Sequence, residues 1–396
     1  MNNTPKLRFK EFSGDWKKKK LGKITKLTDG VHFTPTYVES GVPFWSVETV
    51  VSNANPKYIT QEAHNDAIKR CNPQINDILL TRIGTLAKPK LINWNEEFSI
   101  YVSLALIKAS NNYNSKFARY YFETEYYQKD FLSKSLLTAT PKKINMEDLK
   151  QTNINLPSLE EQEKIASFFS LIDDKISLQG EKVEALKDYK KGIMQKIFTR
   201  NLRFKDDDGK DYPEWEEKKM DKLIYEPTKT KEKEPHKQEL LTVKLHCLGI
   251  EATGKYPNST QNGRPYYKRF KGELLIGRQN MHNGGMGIVD DECNGLIASN
   301  AISSYINNEG VSIEFIYYTI SRIDYYKRID LLIGGTGQKE ISKKELENLI
   351  ISTPCLEEQN KIVKFLNKVN IKLEKEQEKL DSLNEYKKGL LQQMFI

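Results

Sequence analysis

Basic, hydroxyl and amide side chains gather in the loops between the predicted strands of this 396-residue chain. Arginine and lysine neutralise phosphates, whereas arginine, asparagine and glutamine also form paired hydrogen bonds with guanine or adenine edges in the major groove. Residue type alone does not separate base readers from phosphate contacts, and an ordinary solvated role is the alternative for each side chain. The candidates for DNA contact are Arg82, Thr85, Lys88, Lys90, Thr138, Thr140, Lys142, Lys143, Arg264, Lys268, Arg269, Arg278, Gln279, Asn280, Asn283, Gln338 and Lys339.

Three glycine-rich segments could suggest nucleotide chemistry, but each departs from the motif it resembles. Gly249 to Lys255 matches most of a phosphate-binding loop, yet Tyr256 stands where the magnesium-binding serine or threonine is required, so we expect a hairpin loop. The segments 284–287 and 334–337 lack the spacing of a dinucleotide fingerprint and are predicted to be flexible loops. The Asn/Asp-Pro-Pro-aromatic motif of amino-methyltransferases and a clear nuclease cluster are also absent from the sequence. We therefore predict no catalytic residues.

Composition narrows the class of protein further. The net charge of +8 permits a polyanionic partner, and no stretch approaches the roughly 20 apolar residues that cross a bilayer. The first twelve residues lack a secretory signal, so a cytoplasmic location without membrane contact is expected. The sequence contains no CxxC pair and no histidine ligand spacing, which disfavours disulfide and zinc sites. The four cysteines, predicted to be buried thiols, are Cys71, Cys247, Cys293 and Cys355.

An internal repeat organises the chain. Residues 157–199 align with residues 354–396 at a constant shift of 197 without a gap, and 18 of the 43 positions are identical. Arg82 and Arg278 also occupy matching places in the two halves, so a scaffold role is their alternative. Three four-residue motifs, or words, are repeated: LEEQ at 159–162 and 356–359, YKKG at 189–192 and 386–389, and LRFK at 7–10 and 202–205. Trp16 follows the first LRFK copy, and Trp215 follows the second.

Each half consists of a leading segment, a variable body and a long helix. The bodies, near 25–150 and 220–348, mix short β-branched runs with aromatic helical stretches at 116–133 and 313–331, for which Ser115 and Ser312 are predicted N-caps. We divide the chain into a first module with its leading segment (1–156), a central long helix (157–200), a second module (201–353) and a C-terminal long helix (354–396). The aromatic and aliphatic side chains predicted to form core are Phe117, Tyr120, Tyr121, Phe131, Phe315, Tyr318 and Ile329.

Apolar residues in the two long segments alternate at steps of three and four, which is typical of a coiled coil. The predicted fold class is α+β: two small α/β modules joined by two long helices packed as an antiparallel coiled coil, a pseudo-two-fold internal repeat. The alternative is that each helix packs only against its own body. The predicted helix-pairing residues are Ile172, Ile176, Gln179, Val183, Leu186, Lys190, Ile193, Leu373, Glu376, Leu380, Leu383, Lys387, Leu390 and Met394.

Polar residues interrupt both seams at the same two places and suggest a register. In the register that we predict, Lys190 meets Glu376 and Gln179 meets Lys387. Val183 and Leu186 would then meet Leu383 and Leu380, respectively.

With these motifs, the sequence resembles the specificity (S) subunit of bacterial Type I restriction-modification systems over essentially its whole length. The most telling residues form two copies of a junction between body and helix. The first junction has Pro141 where the second has Gln338, so the Gln-Lys pair is incomplete in the first half. The junctions are Lys142–Ile144, Leu149 and Pro157–Gln162, then Gln338–Ile341, Leu346 and Pro354–Gln359.

The resemblance implies two target-recognition domains that each read one half of an interrupted, asymmetric site in double-stranded DNA, with the helices setting their separation. It also implies two methyltransferase (M) subunits and two restriction (R) subunits as partners. S-adenosylmethionine, ATP and magnesium would then belong to those partners, and this chain would hold no cofactor and no catalytic residue. The alternatives are a free-standing tandem DNA-binding regulator and a helical scaffold whose bodies bind protein.

Overall fold

The chain forms two compact units, Met1–Lys182 with Glu376–Ile396, and Val183–Lys375. This computed structural model describes residues 4–258, 265–332 and 340–396, without the side chains of 330–332. Arg264, Gln338 and Lys339, and the glycine segment 334–337, lie outside the described residues. Each long helix contributes residues to both units.

The first unit is a mixed α/β body. Its strands are β1 (Lys17–Lys20), β2 (Leu27–Asp29), β3 (Val42–Trp45), β4 (Lys57–Ile59), β5 (Ile78–Thr81), β6 (Pro89–Leu91), β7 (Ser99–Ile100), β8 (Leu104–Ile107) and β9 (Asn153–Leu156). Its helices are α1 (Leu21–Ile24), α2 (Val47–Ser52), α3 (Gln61–Arg70), α4 (Ser115–Glu123), α5 (Glu125–Ser133) and α6 (Met146–Lys150), and the long helix α7 (Leu159–Phe198) follows.

The central sheet of this unit has the strand order β2-β8-β5-β6, and all its neighbours are antiparallel. The two middle strands, β5 and β8, are buried at every position, because the sheet has a core on each face. Ile78 and Leu80 point to the core beneath α4 and α5, and Leu79 points to a smaller core around Phe98. This alternation is the period of two that a strand imposes. A second sheet has the order β4-β3-β7, and β1 pairs with β9.

The aromatic stretch 116–133 forms two helices instead of one. Thr124 caps α5 by accepting a hydrogen bond from the Tyr127 amide, and this divides the stretch. The cap of α4 is Asn114, so the prediction of Ser115 was wrong by one residue. Ser312 is confirmed as the cap of α9 in the second unit. The side chains predicted to be core in both bodies are buried.

The second unit repeats the plan of the first. Its strands are β10 (Glu216–Lys219), β11 (Ile224–Tyr225), β12 (Leu241–Val243), β13 (Ile250–Ala252), β14 (Tyr266–Lys268), β15 (Leu274–Gly277), β16 (Met286–Ile288), β17 (Ile297–Ser299), β18 (Ile302–Asn307) and β19 (Ile350–Thr353). Its helices are α8 (Met220–Leu223), α9 (Ile313–Ile320), α10 (Ile323–Leu332), α11 (Lys343–Glu347) and the long helix α12 (Leu356–Met394), with short 3-10 helices at Pro235–Lys237 and Arg278–Asn283.

The four-stranded sheet of this unit, β11-β18-β15-β16, matches the order of the central sheet in the first unit. Two sequence predictions need correction here. The segment 249–255 contains β13, which pairs with β12, and is not simply a hairpin loop. Segment 284–287 enters β16 and is not a flexible loop: a Cβ on Gly287 would lie 2.8 Å from Ile250. Two cysteines, Cys247 and Cys355, are only half-buried.

Two long helices of 40 and 39 residues, α7 and α12, run where the heptad pattern predicts them. In the first unit they pair antiparallel: Lys387 lies 2.7 Å from Asp173, and Gln179 donates to the Glu376 carboxylate at 2.8 Å. The predicted layer of Gln179 with Lys387 is therefore wrong, because Glu376 lies about three turns from Lys387 along α12. The long side chains of Lys387 and Gln179 reach different acidic partners, which the heptad pattern does not specify. Each of the other predicted layers would pair a residue of one unit with a residue of the other unit.

The C-terminal end of each long helix enters a body core. Leu390, Leu391, Met394 and Phe395 belong to the main core of the first unit. Ile197 belongs to the main core of the second. The alternative in which each helix packs only against its own body is therefore wrong, because the C-terminal end of each helix lies in the core of the other body.

Candidate nucleic-acid interface

The repeated sequence words contact each other and fix the bodies to the long helices. Arg8, in the first LRFK word, donates through Nε and Nη2 to the two oxygens of Glu161, in the first LEEQ word, at 2.7 Å each. Arg203 and Glu358 form the same contact in the second unit, at 3.3 and 2.9 Å. Both carboxylates are buried, so a charged, two-point partner is required.

The glutamine of each LEEQ word connects the start of a long helix to the body. Gln162 accepts from the Asn114 amide at 2.9 Å and donates to the Pro157 carbonyl at 2.9 Å. Gln359 accepts from the Ser312 amide at 2.8 Å and donates to the Pro354 carbonyl at 2.9 Å, in the same way. The duplicated words thus hold each body in a fixed orientation on the helix start that follows it.

Two loops of the first body come together at the end of β5. The Gly84 amide donates to the Lys142 carbonyl at 2.8 Å, and the Ile144 amide donates to the Arg82 carbonyl at 3.0 Å. Leu136 and Lys143 also exchange backbone hydrogen bonds, which closes the segment 134–144 on itself. Five of the predicted contact residues project from these loops as exposed side chains: Thr85, Lys88, Thr138, Thr140 and Lys142.

The remaining predicted residues of this body are less accessible. Arg82 is 7% exposed and donates to the carbonyls of Val102 and Ile144, at 2.8 and 3.2 Å. Burial lowers the pKa of its guanidinium, although the nearby Asp29 carboxylate opposes the shift. The scaffold alternative for Arg82 is therefore the one that its contacts favour. Lys90 and Lys143 are half-buried, and Lys90 lies 5.4 Å from the centre of the Trp45 ring.

A cluster that sequence reasoning missed surrounds the carboxylate of Asp29, at the end of β2. Arg70 donates to Asp29 at 2.7 Å, and His32 lies 2.8 Å from its other oxygen. Burial acts to raise the pKa of Asp29, but the hydrogen bonds from Arg70 and His32 outweigh it and hold the pKa below its ordinary value. Since the buried Arg82 lies 3.3 Å from the same carboxylate, the charge of Asp29 is already balanced from within.

Arg70 and His32 are consequently oriented cationic and polar groups that face solvent. The Arg70 side chain is 55% exposed, and among the described residues only its Nη2 has a hydrogen-bond partner. An arginine held in this way can meet a phosphate or a guanine edge with little loss of side-chain entropy. The close spacing of Asp29 and His32 in the sequence was a signal for part of this cluster, whereas Arg70 is brought in only by the fold.

A cavity of about 390 Å³ connects the loop after β2 with the two loops at the end of β5. Tyr37 and Phe44 line one side of it, and Gly84 and Pro141 line another. Lys57 also borders the cavity and lies over the Tyr37 ring at 4.4 Å. The cavity therefore lies beside the two loops that carry the exposed candidate residues of the first body.

The second body carries a different set of side chains at the corresponding place. The Ile341 amide donates to the Arg278 carbonyl at 3.2 Å, which repeats the link between Ile144 and Arg82. The half-buried Arg278 guanidinium, however, lies 3.1 Å from Glu340, where Arg82 is enclosed. Gln279, Asn280 and Asn283 follow on the short 3-10 helix, where Asn280 is exposed and the other two are half-buried.

Two further predicted residues of this body are engaged within it. Arg269 is 2% exposed and donates to the Ile302 carbonyl at 2.7 Å, which favours a scaffold role. Lys268 is half-buried and lies 3.3 Å from Glu232. In the described parts of the chain, no helix is long and apolar enough to cross a membrane.

Comparison with known proteins identifies the family to which the chain belongs. A model of the Type I restriction modification DNA specificity domain matches residues 13–188 and again residues 212–385. The chain belongs to this family. It is a specificity subunit of a Type I restriction-modification system and has two target-recognition domains.

Relatives and solved structures extend over the whole length. The putative Type I restriction enzyme MjaX specificity subunit of Methanocaldococcus jannaschii is 26% identical, and the match covers 98% of this chain and 95% of the relative. The MjaVIII specificity subunit of the same organism is 24% identical over 97% and 94%. The S subunit from M. genitalium superposes with a TM-score of 0.62 at 15% identity, covering 99% of both chains. A chain from a structure describing complex assembly and conformational transition of the Type I system gives 0.54 at 14% identity, covering 95% and 96%.

Proposed function

We propose that each body reads one half of a bipartite, asymmetric DNA site and that the long helices set the spacer between the halves. The observation that carries this proposal is one sheet order present twice, with different exposed side chains on equivalent loops. After β5 the first body presents Thr85 and Lys88, whereas after β15 the second presents Asn280 with the half-buried Gln279 and Asn283. Two bodies with the same sheet order but different loop side chains are suited to recognise two different half-sites.

Phosphate contacts position such a protein, and contacts with base edges give it sequence preference. The lysines of the first body suit the first role. The amides of the second body can pair with adenine edges, and Arg70 in the first body can pair with guanine.

Chemistry on the DNA belongs, in this proposal, to other subunits. The chain acts with two methyltransferase subunits, which dock on the helices, and with two restriction subunits, in the cytoplasm. S-adenosylmethionine, ATP and magnesium are held by those partners. Methyl transfer to adenine N6 requires a flipped base, which the methyltransferase supplies with its own pocket.

Modified-adenine mapping tests the proposal. The chain is expressed with its methyltransferase subunit in cells without other adenine methylation, and the genome is sequenced for N6-methyladenine. We expect methylation at one discrete bipartite sequence, which is lost when this chain is omitted. Tight site-specific binding without any methyltransferase would instead indicate a free-standing regulator, and binding without DNA selectivity would indicate a protein scaffold.

A further inference from the structure

A hairpin of the second body carries an apolar face from the core out to the surface. Its strands β12 and β13 pair antiparallel, with Val243 opposite Ile250. Two residues further along, the same register places Leu245 opposite Leu248, and the Leu248 amide donates to the Leu245 carbonyl at 3.2 Å. Side chains two positions apart on a strand share a face, so the two leucines continue the face that Val243 and Ile250 pack against the core.

The apolar face becomes exposed at the tip of the hairpin. Leu241, at its base, is 4% exposed, whereas Leu245 is 40% exposed and Leu248 is 67% exposed. Single exposed leucines are ordinary on protein surfaces, so exposure by itself does not indicate a role. The indication comes from the way in which the backbone of the tip is held.

The turn between the two leucines has a backbone conformation that its residues do not favour. His246 and Cys247 both have positive φ, at 59° and 55°. A hydrogen bond that closes across two such residues is the pattern of a type I′ turn, in which asparagine and glycine are preferred. Strained backbone of this kind persists only where surrounding contacts hold it, and it is concentrated at functional sites.

The contacts that hold the turn come from a candidate DNA-reading loop. The His246 amide donates to the backbone carbonyl of Asn283, and the Cys247 amide donates to that of Gly284, both at 2.8 Å. A side chain at Gly284 would crowd this contact, since its Cβ would lie 3.0 Å from the Cys247 nitrogen. The leucine tip is therefore fixed beside the short 3-10 helix that carries Asn280 and Asn283.

We propose that the leucine tip, Leu245 and Leu248, is a wedge that enters the duplex at the half-site of the second body and unstacks the base step next to the adenine that is methylated. Apolar side chains inserted between base pairs partly unstack them and kink the duplex. The wedge thereby lowers the cost of extruding the adenine into the methyltransferase pocket.

DNA is favoured over a protein as the occupant of this tip. The loop that holds the tip also carries the amides that suit adenine edges, so a duplex in contact with Asn280 meets the leucines as well. The inference rests on the proposed function, which places DNA on this surface and base flipping in the methyltransferase subunit.

Methyl transfer to matched and mismatched duplexes tests the wedge. The complex of this chain with its methyltransferase subunit is assayed in single turnovers at saturating DNA. Each duplex carries the mapped site with one half-site already methylated, so that the other half-site is measured alone. In a second set, the base opposite the target adenine is mismatched, which removes much of the cost of extrusion.

Three variants are compared with the unsubstituted chain. Leu248→Ala removes the wedge, whereas Leu248→Met keeps an apolar side chain of similar volume. Ile350→Ala is the matched control, because Ile350 is a 56% exposed apolar residue of the same unit.

Leu248→Ala should slow methyl transfer about tenfold at the half-site of the second body, because the chain no longer supplies part of the unstacking. The other half-site should be unaffected, and the mismatch should restore the rate. Leu248→Met and Ile350→Ala should behave like the unsubstituted chain.

Three results would overturn the wedge and leave the proposed function standing. They are an unchanged rate for Leu248→Ala on the matched duplex, equal slowing at both half-sites, and slowing that the mismatch does not relieve. The last result, together with loss of a subunit in native mass spectrometry, would indicate that the tip binds protein. If the unsubstituted complex methylated no bipartite site, the proposed function itself would be overturned.

Discussion

At the scale of single residues, the molecule uses buried carboxylates to fix cations. Glu161 and Glu358 each receive an arginine from a segment about 150 positions earlier in the chain. Asp29 contacts the buried Arg82 and the solvent-exposed Arg70. Because an unpaired buried carboxylate is costly, these contacts determine where the neighbouring loops lie.

Arg70 provides the residue-scale prediction. Arg70→Ala should weaken binding of the assembled complex to its DNA site about tenfold, within the roughly 1–3 kcal/mol of one paired arginine contact. Lys69→Ala is the matched control, because Lys69 is adjacent on α3, carries the same charge and pairs with Asp66. Fluorescence anisotropy with a labelled duplex that contains the mapped site measures both. Equal effects of the two substitutions would show that Arg70 acts only through net charge.

At the scale of elements, the end of α12 completes the core of the first unit. The Phe395 ring lies 5.3 Å from that of Phe117 and 5.6 Å from that of Phe169, measured between ring centres. The Leu7 amide also donates to the Gln393 carbonyl, at 2.9 Å. The last residues of the chain are thus part of the first unit.

Phe395→Ala should destabilise the first unit by about 3–5 kcal/mol, as expected for removal of a buried phenylalanine side chain. Urea unfolding, followed by tryptophan fluorescence, measures the change. Gln393→Ala should change the free energy of unfolding by less than about 0.5 kcal/mol, because that side chain is exposed. If the two variants unfolded alike, the end of α12 would not be part of this core.

The helices also yield a prediction about DNA spacing. Deleting 176–182 together with 373–379 removes one equivalent heptad from each helix, or about 10 Å. One turn of duplex spans about 34 Å and 10 base pairs, so the recognised spacer should change by about three base pairs while both half-sites are retained. Methylation mapping of surviving complexes reads the spacer directly. An unchanged spacer would contradict the proposed role of the helices.

Sequence periodicity predicts these elements better than it predicts their partners. The heptads locate α7 and α12, because a repeat of three and four residues is a local pattern. The contact of Gln179 with Glu376 was missed, since long polar side chains reach past the layer opposite them. Thr124 divides the aromatic helix by capping, which competes with apolar periodicity.

The candidate site was predicted less completely than the fold. The exposed loop residues of the first body were found by type and by position between strands. Arg82 and Arg269 have the right type but are enclosed, and burial depends on contacts far away in sequence. Arg70 was overlooked because it lies at the end of a helix, and only the fold brings it to Asp29.

At the scale of the whole molecule, one plan is used twice. Both halves carry the same Arg–Glu contact, the same glutamine link and the same central sheet order, whereas their exposed loops differ. The repeated contacts and sheets position each body, and the loops that differ determine which DNA sequence each body recognises. The central claim is therefore that each body reads its half-site independently.

Exchange of one body tests that claim most directly. Residues 25–150 are replaced by the corresponding body of a relative with a different site, and adenine methylation is mapped in cells that also express the methyltransferase subunit. We predict a new bipartite sequence in which one half is changed and the other half and the spacer are retained. Methylation in which both halves change, or in which the original sequence persists, would contradict the account.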